Sequence, residues 1–264
     1  MSALTKLDEN SRAVLRTLLK ARRQQTGADL DGLAAPADGE QIAAIQDALS
    51  AELGWAPRSN SSVWKAGAIS DGSPICIPLP ETAVRTQNGS YRRGLLQRVG
   101  IEAEICFRLG RDVSTAEAEA MDDTAVLAAF DALCVSIELV DSRWRIGMDA
   151  PEAFKLADHQ SHGGLVIGDW VANTAHDWQA IALRVTADER EIVTQRGGHP
   201  CGRPTWVLSY WLRHVAAQAG VARKGSMVTT GSWCGMQWVE PGPNGVTVAV
   251  SFDGIGSTRV RLYR

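Results

Sequence analysis

From residue 7 to residue 24, Leu7, Val14, Leu15, Leu18 and Leu19 recur near helical spacing with Lys and Arg between them, which predicts an amphipathic helix. A second stripe of Ile42, Ile45, Leu49 and Leu53 starts after Asp38 and stops at Gly54. Asp38 is the expected N-cap, because a short acceptor side chain satisfies the unpaired N–H groups of a first turn. Residues 25–37 between the stripes (QQTGADLDGLAAP) read as a loop. After Pro57 the texture changes to short apolar runs broken by Gly, Pro, Asn and Asp, the pattern of strands and turns. Strands are predicted over 61–66, 98–108, 133–140, 163–168, 180–187, 227–230, 246–252 and 257–263. Helices are predicted over 123–130 and 205–219, the second carrying Val207, Leu208, Trp211, Leu212, Val215 and Ala216. Asp253-Gly254-Ile255-Gly256 is a hairpin turn, since Gly tolerates positive φ.

The expected organisation is an N-terminal helical segment, 1–57, followed by a β-rich domain, 58–264. The fold class is α+β, a mixed and largely antiparallel sheet with flanking helices rather than a βαβ alternation. There is no internal repeat and no low-complexity segment.

Composition narrows the picture. With 264 residues, 45% hydrophobic and 22% charged, the chain can bury a sizeable core. A net charge of −3 gives no electrostatic reason for a nucleic-acid or anionic-membrane partner. No apolar stretch reaches the length of a bilayer span. Lys6, Asp8 and Glu9 with no apolar run behind them argue against a secretory signal. The same acidic residues make Arg12, Arg16, Lys20, Arg22 and Arg23 part of an ordinary amphipathic helix rather than a transit peptide. Cys76, Cys106, Cys134, Cys201 and Cys234 are odd in number and form no CxxC pair, which fits a reducing cytoplasm. P-loop, GxGxxG, GxSxG and HExxH motifs are missing. His199-Pro200-Cys201 matches part of a zinc-deaminase signature without its second Cys, and that reading is set aside.

The informative stretch is Val99-Gly100-Ile101-Glu102-Ala103-Glu104-Ile105-Cys106-Phe107. Alternation along a strand puts Val99, Ile101, Ala103, Ile105 and Phe107 on one face and Glu102 and Glu104 together on the other. Two such carboxylates lie about 7 Å apart at Cα and can converge on one cation. An amphipathic strand with glutamates on its wet face would read the same way. Glu138 is harder to dismiss, because it sits inside the apolar run Leu133-Cys134-Val135-Ser136-Ile137-Glu138-Leu139-Val140. Glu is almost never buried unless paired. A cation shared with the other two carboxylates, or an ion pair with Arg143, would each supply the partner, and spacing alone leaves both open. Oxygen-only ligation suits Mg2+ or Mn2+ rather than zinc.

The stretch Ile101-Glu102-Ala103-Glu104-Ile105 through Leu109-Gly110-Arg111-Asp112 resembles the metal-binding strand of the fumarylacetoacetate hydrolase superfamily, in its 2-keto-4-pentenoate hydratase and 4-oxalocrotonate decarboxylase branch. Further similarities follow in order. Ile137-Glu138-Leu139-Val140-Asp141-Ser142-Arg143 resembles the third metal ligand and its turn. Ala157-Asp158-His159-Gln160-Ser161 followed by Gly164-Leu165-Val166-Ile167-Gly168 resembles an Ala-Asp-Asn-x-Ser segment before a strand. Thr229-Thr230-Gly231-Ser232-Trp233 resembles the substrate-pocket loop, and Trp64-Lys65-Ala66-Gly67 a Lys-containing segment. Phe252-Asp253-Gly254-Ile255-Gly256-Ser257 at the C-terminus is similar to the family as well. The likeness runs from about residue 40 to the end. It departs at Ser70-Asp71-Gly72-Ser73-Pro74-Ile75-Cys76-Ile77-Pro78-Leu79-Pro80, where a Pro-Asp-Phe-Gly-like segment is expected, so it carries the metal site but not the substrate.

The resemblance implies a β-roll of the family's C-terminal type and a homo-oligomeric, cytoplasmic enzyme of aromatic catabolism. It implies Glu102, Glu104 and Glu138 as ligands of Mg2+ or Mn2+, and Lys65 and Asp158 as catalytic groups. Ser161, Thr230, Gly231 and Ser232 would bind the substrate, and Trp64 and Trp233 would wall the pocket. His159 and His162 read as loop histidines with structural hydrogen bonds. The expected reaction is hydration of a 2-hydroxy-2,4-dienoate through an enolate. Alternatives are decarboxylation of a 4-oxalocrotonate-type acid and acylpyruvate hydrolysis, though no His-Glu pair before residue 100 is visible for the latter. A non-catalytic subunit that binds a 2-keto acid is the rival from another class.

Overall fold

The computed structural model of the chain describes residues 3–92 and 98–264. Two helices open it, α1 (Glu9–Gln24) and α2 (Gly39–Glu52). Their first turns are closed as the sequence expects: Asp8 accepts from the Ser11 N–H at 2.7 Å and Asp38 from the Gln41 N–H at 2.9 Å. Leu7, Val14, Leu15 and Leu18 meet Ile45 and Leu49 in one core, which Trp144, Phe154 and Ala157 complete. The helical stripe is thus covered by residues far down the chain.

The strands are β1 (Val63–Ala68), β2 (Pro74–Pro78), β3 (Val84–Thr86), β4 (Gly89–Arg92), β5 (Val99–Leu109), β6 (Val113–Ser114), β7 (Phe130–Val140) and β8 (His162–Ile167). They continue with β9 (Val171–Ala172), β10 (Ala182–Ala187), β11 (Arg190–Arg196), β12 (Val221–Ala222), β13 (Met227–Thr229), β14 (Gln237–Val239), β15 (Val246–Phe252) and β16 (Gly256–Tyr263). Helices α3 (Thr115–Ala120), α4 (Asp123–Ala128), α5 (Glu152–Ala157) and α6 (Leu208–Ala219) lie between them.

One sheet runs β2-β1-β13-β5-β7-β8-β3, and a second runs β11-β10-β15-β16-β4. Pairing is mostly antiparallel, with β1–β13, β3–β8 and β4–β16 parallel. The apolar face of β5 and β7 and the inner residues of β10, β15 and β16 share one core, to which α6 adds Leu208, Trp211, Leu212 and Val215. Every predicted strand is present, that over 246–252 with the predicted bounds and the others with one or both ends shifted, and the hairpin turn forms with Gly254 at φ 75°.

Strands β2, β3, β4, β6, β9, β11, β12 and β14 and helices α3 and α5 escaped the pattern, most of them too short to show a period. β11 is an edge strand with no buried residue, so it has no alternation to read. β2 also lies at a sheet end, and its prolines occupy its first and last positions, where a missing N–H is tolerated. Helix α5 is one short stretch, too brief for a helical period to stand out. Among the described residues no helix is long and apolar enough to cross a membrane.

Candidate metal centre

β5 and β7 pair antiparallel in a register that sets Gly100 against Val140, Glu102 against Glu138, Glu104 against Ser136 and Cys106 against Cys134. Because side chains alternate, these residues occupy the face of the sheet opposite the shared core. Carboxylate oxygens of Glu102, Glu104 and Glu138 all lie within 4.8 Å of one another. They open on a cavity of about 290 Å3 that Lys65, Gln160, His199 and Thr230 also line.

Each carboxylate has its own support. Glu138 Oε1 accepts from Lys65 Nζ at 2.7 Å and pairs with His162 Nδ1 at 2.9 Å. Glu104 Oε2 accepts from the Gly231 N–H at 3.1 Å and from the Thr229 hydroxyl, which in turn meets Ser136 Oγ at 2.9 Å. Glu102, the most exposed of the three, has no such donor among the contacts of the described residues.

The electrostatics follow from crowding. Burial, then the charges of Glu138 and Glu102, hold the Glu104 carboxyl well above the usual range. Burial and the neighbouring Glu138 push Glu102 up to about 7. Burial acts on Glu138 as well, but the Lys65 ammonium and the His162 hydrogen bond outweigh it, so its carboxyl is held low. Three carboxylates therefore face one ammonium, and the cluster is short of positive charge. An oxygen-rich donor set of this kind fits a hard divalent cation, which would supply the missing charge.

Lys65 comes from β1, in a register that places it beside Thr229 of β13 and Ile77 of β2. Its second contact is the Gln160 carbonyl, 3.1 Å away. That carbonyl is presented by an unusual turn: His159, Gln160 and Ser161 have φ of 52°, 53° and 59°, all left-handed. Non-glycine residues rarely adopt this conformation, and a run of them persists only where the surroundings hold it. Asp158 supplies the hold. Its carboxylate accepts from Arg22 at 2.8 Å, from the Arg143 backbone N–H at 3.0 Å and from the Arg143 side chain.

Several sequence expectations are corrected here. Arg143 pairs with Asp158 and not with Glu138, whose partner is Lys65. Asp158 is fully buried, is not among the residues that line the cavity of the three glutamates and is occupied by two arginines, so a direct catalytic role for it is set aside. Ser161 is likewise buried away from the cavity. Thr230, Gly231 and Ser232 do line it, yet the Thr230 hydroxyl donates to the Ile105 carbonyl and the Ser232 hydroxyl to the Gly235 carbonyl. Trp64 and Trp233 are buried in the core, and Trp206 is the tryptophan at the cavity wall. His162, read as a loop histidine, sits on β8 against Glu138. Its position two strands from Glu102 could not be read from spacing.

The sequence model of the fumarylacetoacetate (FAA) hydrolase C-terminal family matches residues 49–263. Among curated proteins, a 4-oxalocrotonate decarboxylase of Pseudomonas sp is 26% identical over 162 residues, 60% of this chain and 58% of that protein. A 2-keto-4-pentenoate hydratase of Paraburkholderia xenovorans (strain LB400) is 26% identical over 172 residues, 64% of this chain and 60% of that protein. The matched part thus spans less than two thirds of these relatives. Among solved structures, 4-oxalocrotonate decarboxylase from Pseudomonas putida G7, complexed with magnesium and adipate, superposes with a TM-score of 0.75 at 16% identity, over 96% of this chain and 97% of that one. The 2-hydroxyhepta-2,4-diene-1,7-dioate isomerase from Mycobacterium marinum gives 0.54 at 18% identity, over 77% and 75%. At these identities the likeness is one of fold.

Proposed function

The chain belongs to the fumarylacetoacetate (FAA) hydrolase C-terminal family, and from that premise we propose that it is a divalent-metal-dependent hydratase, cytoplasmic and homo-oligomeric, that adds water to a 2-hydroxy-2,4-dienoate to give a 4-hydroxy-2-oxo acid. The observation that carries this reading is the meeting of Glu102, Glu104 and Glu138 at a cavity that also exposes Lys65. Relatives named as hydratases of 2-keto-4-pentenoate support the reaction class.

Glu102, Glu104 and Glu138 would hold Mg2+ or Mn2+, in keeping with their oxygen-only set. When bound, the cation supplies Lewis acidity toward the C1 carboxylate and C2 oxygen of the keto acid. Lys65 is the group assigned to proton transfer: Glu138 and the Gln160 carbonyl take two of its N–H donors, and the third has no protein partner among the described residues. Proton delivery to C5 with loss of the 2-hydroxyl proton ketonises the dienoate, and water then adds across C3 and C4, its hydroxyl going to C4, conjugate to the C2 carbonyl, and a proton to C3. Thr230, Gly231 and Ser232, which line the cavity, would meet the substrate carboxylate. Asp158 acts at a distance, through the turn that carries Gln160.

Decarboxylation of a 4-oxalocrotonate-type acid is the second reading, favoured by the relative of that name. A panel of 2-hydroxydienoates and 2-keto diacids, run with Mg2+ and Mn2+, tests both. Loss of dienoate absorbance without gas is the expected result, and carbon dioxide release from 4-oxalocrotonate would favour the second. Undiminished turnover after exhaustive chelation would overturn both. Light scattering on the purified chain checks the subunit number.

A further inference from the structure

Residues of the N-terminal segment grip the stretch from Leu156 to His159 at several points. Gln46 of α2 donates to the Leu156 carbonyl at 2.7 Å, and Arg22 of α1 donates to Asp158 Oδ1 at 2.8 Å. Ser50 Oγ lies 3.5 Å from His159 Nε2, and the Trp55 ring meets the His159 imidazole edge-on at 5.3 Å. The Arg22 guanidinium also covers the Trp55 ring, 5.2 Å from its centroid, so the contacts to Asp158 and to His159 brace each other. The family model begins at residue 49, so Arg22 and Gln46 lie before the matched part.

These contacts hold a conformation that does not hold itself. His159, Gln160 and Ser161 are three successive left-handed residues without a glycine among them, and such a run depends on support from outside. The turn delivers two groups to the acidic cluster. One is the Gln160 carbonyl, 3.1 Å from Lys65 Nζ; the other is His162, the first residue of β8, 2.9 Å from Glu138 Oε1. Lys65 has the Glu138 carboxylate as its other acceptor. Without the carbonyl the ammonium is tied at one point and can swing about it. Arg143 does not replace Arg22 in this hold, because Asp141 draws on the same guanidinium as Asp158.

We propose that Arg22 is a positioning residue for the reaction of this site: through Asp158 it fixes the turn whose Gln160 carbonyl aims the Lys65 ammonium. The N-terminal helices are then a working part of the site. The inference rests on the assignment of proton transfer to Lys65 and adds how that group is aimed. Aim matters because a proton moves only within hydrogen-bond reach, and a displacement of about 1 Å can cost about a hundredfold in rate.

The test compares Arg22→Gln with wild type, each as the full chain loaded with Mg2+. One measurement is independent of turnover: acetic anhydride labels free amines, and mass spectrometry reads Lys65 against the exposed Lys224. Labelling of Lys65 should rise at least about threefold as its hold loosens. The other is steady-state hydration of the 2-hydroxydienoate. There kcat should fall at least about tenfold while KM stays within about twofold, since aim is lost and substrate binding is kept. Trp55→Leu loosens the same turn through His159 and stands in should the first variant fail to fold. A folded variant whose Lys65 is labelled at the wild-type rate, or is labelled faster with kcat unchanged, would overturn the positioning role and leave the hydratase reading standing. A wild-type chain that converts none of the 2-hydroxydienoates and 2-keto diacids would overturn the hydratase reading, and Lys65 labelling alone would then decide whether Arg22 holds it.

Discussion

Two buried charge clusters lie close together in this protein and are built on opposite principles. Around Asp158, two guanidinium groups, Arg22 and Arg143, face two carboxylates, Asp158 and Asp141, and Tyr91 joins through Asp141. Around Glu138, three carboxylates face the single ammonium of Lys65. The first cluster closes on itself with balanced charge and fixes a strained turn. The second leaves two negative charges uncompensated by side chains, the charge of one divalent cation. Burial with balanced charge marks a structural cluster, and burial with an acidic excess marks one completed from outside.

The largest effect is expected from breaking the acidic cluster. Glu102→Gln should weaken Mg2+ binding and lower turnover by at least about a thousandfold, read by calorimetry and by dienoate decay. It should leave the chelated protein at least as stable as wild type, since one repelling charge is gone. Asp158→Asn tests the balanced cluster. With Arg22 and Arg143 buried and short of a partner, it should lose about 3–5 kcal/mol of stability in urea unfolding. An Asp158→Asn protein with full stability and no turnover would return the residue to catalysis.

Lys65→Met separates charge from chemistry. Turnover should fall about a hundredfold or more, while Mg2+ binds no more weakly, because a repelling ammonium has been removed. His162→Ala removes one of the donors that hold Glu138 Oε1 and should weaken Mg2+ by about tenfold.

The smallest effect is on pH dependence. The folded, chelated chain keeps protons on Glu102 (about 7) and Glu104 that the unfolded chain has already lost above 4.5. Its stability therefore falls as pH rises through that window and beyond 7. The buried imidazoles of His159 and His162 act the other way, because burial lowers their values below 6.5 and folding then forbids protons that the unfolded chain gains. A thermal midpoint that declines as pH rises through 7 after chelation, and loses that decline when Mg2+ is restored, is expected from scanning calorimetry.

Much of this was legible in advance for a definite reason. The helical stripes, the cap at Asp38, the 253–256 hairpin and the shared face of Glu102 and Glu104 are local patterns, set by periods of 3.6 and 2 and by side chains a few positions apart. Edge strand β11 was not legible, because a strand with no buried face carries no alternation.

The sequence by itself determined which residues share a face and that Glu138, in an apolar run, required a partner. Only the tertiary structure decided that the partner is Lys65 rather than Arg143, that Glu138 stands opposite Glu102, and that Asp158 is taken by Arg22 of the first helix. Those choices depend on the register between strands and on contacts separated by as many as 136 positions. Neither is encoded in spacing along the chain, since many distant pairings satisfy the same local pattern and only simultaneous burial of all the faces selects one.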